Sequence, residues 1–161
     1  MNPFSFAPHE IFEIMAKTEA TVSRFYTQLA SLGLSDEASK VFRVLSEEES
    51  EHGKIFLKMA QLQKVRAAAK ESPVNIREIL EGAIERIDRS LLSLTPLDRK
   101  NVDLRGCIEI AVRHEKDSIK VYQEPQSAMP RDFSDVFEKT IAVERGHLKV
   151  LEDVLKHSAP A

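Results

Sequence analysis

The chain has 161 residues, a formal net charge of −3 and interleaved charges of both signs, so it lacks the basic surplus of a general nucleic-acid binder. Its one cysteine, Cys107, excludes an intrachain disulfide and any all-cysteine zinc or iron–sulfur site within one chain, which fits a reducing, cytoplasmic setting. The opening residues carry no basic n-region, and no stretch approaches ~18 uninterrupted apolar residues, so neither a secretory signal nor a membrane span is expected. Length alone favours one domain with one sizeable core over residues 1–161.

Hydrophobic spacing reads as helix nearly throughout, without convincing strand alternation, so the fold class is all-α. Helix one runs from about His9 to about Leu32, with Phe12, Met15, Ala16, Val22, Tyr26 and Leu29 on its apolar stripe. Gly33 stops it, and Ser35 or Asp36 caps helix two, which continues to about Lys70 with Val41, Phe42, Leu45, Phe56, Met59 and Ala60 facing inward. Ser72-Pro73 ends that helix. A shorter amphipathic helix spans roughly Val74 to Leu94, with Ile76, Ile79, Leu80, Ala83, Ile84, Ile87 and Leu91 in helical rhythm. Helix three starts near Arg99 and reaches about Gln123. Pro125 and Pro130 bracket the next turn, and Asp132 caps helix four, which carries Phe133, Phe137, Ile141, Leu148, Leu151 and Leu155. Tight joins within each half predict two antiparallel hairpins, about 9–70 and 99–157. The 71–98 segment then forms a crossover, as suits a four-helix bundle.

The halves repeat each other. Glu19 precedes Glu49-Ser50-Glu51-His52 by thirty residues, and Glu115 precedes Glu144-Arg145-Gly146-His147 by twenty-nine. Tyr26 and Tyr122 each follow the lone glutamate by seven residues, and Phe42 and Phe137 each precede the paired one by seven. On a helix, positions i and i+3 share a face, so each Glu-x-x-His aims a carboxylate and an imidazole at one point. Four carboxylates and two imidazoles from four helices, Glu19, Glu49, His52, Glu115, Glu144 and His147, form the ligand set of a carboxylate-bridged dinuclear metal site. Each glutamate also interrupts an apolar stripe, where an unpaired carboxylate would cost on the order of several kcal/mol. Two divalent cations would neutralise the four negative charges.

Rival readings differ in weight. One Glu-x-x-His among 18 glutamates is nearly uninformative and reads best as a surface contact; two, each preceded by an inward glutamate at matching separation, are not. Glu47, Glu48 and Glu51 belong to a charge run turned toward other faces. His114 lies about 100° from Glu115 on the helix, which suits a surface position or a contact behind the ligands better than ligation. Cys107 reads as a small packed residue, with a redox role as the alternative. Tyr26 and Tyr122 read as core residues, or as hydrogen-bond donors to a ligating carboxylate.

Glu19 through Tyr26, Glu49-x-x-His52, Glu115 through Tyr122 and Glu144-x-x-His147 together resemble the rubrerythrin-like branch of the ferritin-like di-iron superfamily over nearly the whole chain. The resemblance implies a ferritin-like bundle holding two iron ions, with manganese or zinc as alternatives, and Glu49 and Glu144 as bridging carboxylates. It implies a non-haem oxidoreductase, a peroxidase or ferroxidase, using peroxide or dioxygen. The other reading is a non-catalytic iron-binding or storage module, or a structurally metallated bundle. Full-length rubrerythrins add a four-cysteine iron domain that Cys107 alone cannot supply, so catalysis would need an external electron donor. Rubrerythrins proper carry a further glutamate where this chain has Ser118, which makes the site more like a symmetric ferritin centre. A homodimer is expected, with the crossover helix either packing across subunits or covering its own bundle.

Overall fold

The computed structural model describes residues 8–66, 85, 103–128 and 131–157. Among the described residues the chain forms four helices and no strand: α1 (Pro8–Ser31), α2 (Asp36–Arg66), α3 (Leu104–Ala128) and α4 (Arg131–His157). The crossover helix expected over 74–94, and the 67–70 end of helix two, lie outside the described residues.

Local chemistry sets the helix ends. Gly33 adopts φ 63°, the left-handed conformation in which a glycine closes a helix without a Cβ penalty. Ser35 then caps α2, its Oγ accepting the Ala38 N–H at 3.1 Å. Asp103 caps α3 through Oδ1, which accepts the Gly106 N–H at 2.6 Å, so this helix begins later than the Arg99 start expected from the sequence. Pro125 falls inside α3 rather than ending it. Near a C-terminus its missing N–H forfeits one hydrogen bond, while its φ remains helical. Asp132 lies in the first turn of α4, which starts at Arg131.

The apolar core has two parts. One joins Phe12 and Met15 of early α1 to Phe56 of α2, Tyr122 of late α3 and Phe137 of early α4. The other joins Phe25 and Leu29 of late α1 to Phe42 of early α2, Ile108 of early α3 and Leu151 of late α4. Helices α1 and α4 therefore start at one end of the bundle, and α2 and α3 start at the other. Each fully buried aromatic or aliphatic side chain contributes about 1.5–3 kcal/mol. Phe12 packs against Phe56 and Phe137 with ring centroids 6.2 and 5.9 Å apart.

Backbones approach most closely within hairpins α1–α2 and α3–α4, and much less between them. In the first hairpin, reciprocal hydroxyl bonds knit the helices together. Ser23 Oγ donates to the Ser46 carbonyl at 2.8 Å, and Ser46 Oγ donates to the Ser23 carbonyl at 2.9 Å. Gly53 adds to this closeness, because a Cβ there would meet the Ala16 carbonyl oxygen at 3.4 Å and Glu19 Cβ at 3.5 Å.

Candidate metal centre

Between the two apolar parts lies a polar layer to which each helix contributes. Glu19 comes from α1, Glu49 and His52 from α2, Glu115 from α3, and Glu144 and His147 from α4. All four glutamates and His147 are buried, and His52 is nearly so. The six residues singled out by the repeated pattern thus come together.

They divide into two overlapping groups: Glu19, Glu49, His52 and Glu144, and Glu49, Glu115, Glu144 and His147. Within each group, one ligand-type atom per residue lies within 4.8 Å of all the others, and each group could hold a metal ion. Glu49 and Glu144 belong to both. A carboxylate has two oxygens, so a residue shared in this way is placed to bridge two ions.

The imidazoles turn Nδ1 inward. His52 Nδ1 is 3.1 Å from Glu49 Oε2 and 3.6 Å from Glu144 Oε1. His147 Nδ1 is 3.1 Å from Glu49 Oε1 and 3.2 Å from Glu144 Oε2. The two rings stack with centroids 5.8 Å apart.

Burial dominates the electrostatics of this layer. It pushes the Glu19 and Glu115 carboxyls well above the usual carboxylate range, and the neighbouring Glu49 and Glu144 charges push them further. Glu49 moves the other way: burial opposes its ionisation, but hydrogen bonds from His147 and His52 outweigh it and hold the carboxyl low. Burial also works against the charged imidazoles, yet their carboxylate partners prevail, raising His52 and taking His147 up to about 11. Without a cation, the layer thus balances its charge with retained protons.

Two oxygens remain orphaned. Glu115 Oε2 and Glu144 Oε1 are buried without a hydrogen-bond partner. Buried polar atoms rarely stay unsatisfied, and two such carboxylate oxygens facing imidazole nitrogens are what divalent cations would complete. The donor set, oxygen-rich with two imidazoles, fits divalent metal ions.

Around this layer the tyrosines take the second of the roles open to them. Tyr26 donates its hydroxyl to Glu115 Oε1, and Tyr122 donates to Glu19 Oε1. Burial and the adjoining carboxylates push both phenols well above their ordinary value, so they stay protonated donors. His114 stays out of the ligand groups. Its Nε2 lies 3.3 Å from Ser118 Oγ and its ring meets Phe25 edge-on, while burial lowers its basicity. Cys107 is buried in the core, where burial and the nearby Asp103 charge raise its thiol to about 11. Glu47 and Glu51 are exposed, as the charge run suggests.

Glu48 departs from that expectation. Half its side chain is exposed, but Oε2 lies 2.9 Å from His147 Nε2. The residue one place before Glu49 reaches across to α4, and the charge run concealed it. The signal available in the sequence was its contrast with Val143, which occupies the equivalent place before Glu144.

No helix among the described residues is long and apolar enough to cross a membrane. Comparison of the chain with family models, curated proteins and solved structures finds no match in any of the three.

Proposed function

We propose that this chain is a ferritin-like dinuclear iron protein of rubrerythrin type, which reduces peroxide or oxidises Fe(II) with peroxide or dioxygen. The observation that carries this reading is the pair of four-residue groups sharing Glu49 and Glu144 inside a four-helix bundle. The helix directions, with α2 and α3 starting at the same end, support a ferritin-like path with one long crossover.

Glu19, Glu49, His52, Glu115, Glu144 and His147 would hold the ions, and manganese or zinc are the other candidates. When bound, two ferrous ions supply one electron each, enough with two protons to convert one hydrogen peroxide to two waters. The protein holds the carboxylates in place through Tyr26 and Tyr122 and keeps bulk water away with aromatic packing above and below. Buried Cys107, with its raised thiol, is a poor route for returning electrons, so repeated turnover would draw on an external donor. The assembly proposed is a homodimer.

One observation favours ferroxidase or storage chemistry over peroxide reduction. Ser118 stands in place of a further glutamate, and its hydroxyl faces His114 rather than the ligand groups. Anaerobic loading with Fe(II), followed by peroxide or oxygen with and without reductant, separates these readings. Repeated turnover with reductant supports the enzyme, whereas one oxidation followed by mineral growth supports storage. Failure to bind two ions per chain would remove the dinuclear reading altogether.

A further inference from the structure

We propose that the two halves of the centre are inequivalent: the Glu49, Glu115, Glu144 and His147 half binds its ion first and more tightly, and the Glu19, Glu49, His52 and Glu144 half is exchangeable. This rests on the dinuclear reading and adds an order of filling to it.

The asymmetry lies behind the imidazoles. His147 is fixed at both nitrogens, with Nδ1 against Glu49 and Glu144 and Nε2 2.9 Å from Glu48 Oε2. A carboxylate only accepts hydrogen bonds, so Nε2 carries the proton and the Nδ1 lone pair is directed to the centre when an ion replaces the inner proton. Glu48 is thereby a positioning residue. It selects the tautomer, holds the ring plane and raises the basicity of the ligating nitrogen.

The repeat supplies no such carboxylate to His52. Glu48 stands one residue before Glu49, and one residue before Glu144 stands Val143, which has no side-chain acceptor. His52 is also the more open ring, 12% exposed against 4% for His147, so water reaches its half more readily. A ligand with a freer ring and nearer water releases its ion sooner.

Anaerobic Co(II) titration of the full-length protein, followed by visible absorption and calorimetry, tests this. Wild type should take up two ions in two resolved steps, the first at least about tenfold tighter. Glu48→Ala should weaken the first step about 10–100-fold and merge it with the second. Glu48→Gln keeps an oxygen acceptor for Nε2–H and should restore much of the separation. Val143→Glu should tighten the second step and bring the two together from the other side. Both changed side chains are partly exposed, and unchanged helical circular dichroism of the metal-free variants would confirm that folding is intact. Two ions bound with equal affinity in wild type, or equal weakening of both steps by Glu48→Ala, would overturn the inequivalence while leaving the dinuclear centre standing. Uptake of fewer than two ions by wild type would instead overturn the dinuclear reading beneath it.

Discussion

Tyr26 of the first hairpin donates its hydroxyl to Glu115 of the second, and not to Glu19, the glutamate of its own helix. Tyr122 returns the bond to Glu19, so each tyrosine secures a carboxylate belonging to the other half of the repeat. This exchange is what an approximate twofold relation between similar hairpins produces at the bundle centre.

Replacing either hydroxyl should therefore be felt on both sides. Tyr26→Phe keeps the ring against Phe25 and Phe42, whose centroids lie 5.3 and 6.1 Å away, but strands a carboxylate oxygen. We expect a loss of about 1–3 kcal/mol in the metal-free protein by urea unfolding. Metal affinity should also fall by about tenfold or more. A change below a few tenths of a kcal/mol would show that the hydroxyl bond does not hold in solution.

The shared carboxylates make a stoichiometric prediction. Glu49→Ala and Glu144→Ala should each impair binding of both ions, because these residues belong to both groups. Glu19→Ala and Glu115→Ala should each spare one ion. Exposed Glu47→Ala and Glu51→Ala should retain two. Metal analysis after desalting reads the three classes directly, and equal losses across all six variants would defeat the facial assignment.

The retained protons set the pH response. A group whose folded pKa is raised stabilises the fold below its unfolded pKa and loses that contribution as pH rises through the folded value. Glu19 and Glu115 are raised from the usual carboxylate range, and His52 and His147 from the usual imidazole range, the last to about 11. The metal-free protein should therefore lose stability as pH rises, the glutamates contributing to the loss from the carboxylate range upward and the histidines from near neutral. Glu49, held low, acts in the opposite sense, and its contribution is lost only on acidification below the usual carboxylate range. Glu19→Gln removes one titration and should flatten, in thermal melts, the part of the decline that begins in the carboxylate range. Binding of divalent cations must displace these protons, so apparent affinity should rise with pH and titrations in weak buffer should show proton release. A pH-independent affinity would contradict the retained-proton layer.

Gly146 offers a control for stability. It sits within α4 between two proposed ligands, but a Cβ there would meet nothing within 4 Å. Gly146→Ala should add about 1 kcal/mol to stability through helix propensity, with two ions still bound. Loss of an ion in this variant would mean that the backbone here has to flex to seat the ligands.

The helices and the six central residues were legible because a carboxylate inside an apolar stripe breaks a pattern that periodicity makes visible. The partner exchange of Tyr26 and Tyr122 was not, since seven-residue spacing fixes a face but not the helix opposite. Glu48 was missed for a related reason. Its place in an acidic run describes its own helix, whereas its contact with His147 depends on the distance between α2 and α4. The start of α3 at Leu104 turned on one capping bond at Asp103, which hydrophobic spacing does not reveal.

The division of close backbone packing has a consequence for how the molecule holds together. Each hairpin owns half of the proposed ligands, and the hairpins approach each other far less closely than the helices within them. An ion bound in the polar layer would act as a clasp between the two hairpins, added to the apolar side chains and tyrosine bonds that already join them. Its binding energy would appear chiefly as resistance to their separation, so metal loading would change the cooperativity of unfolding as well as its midpoint.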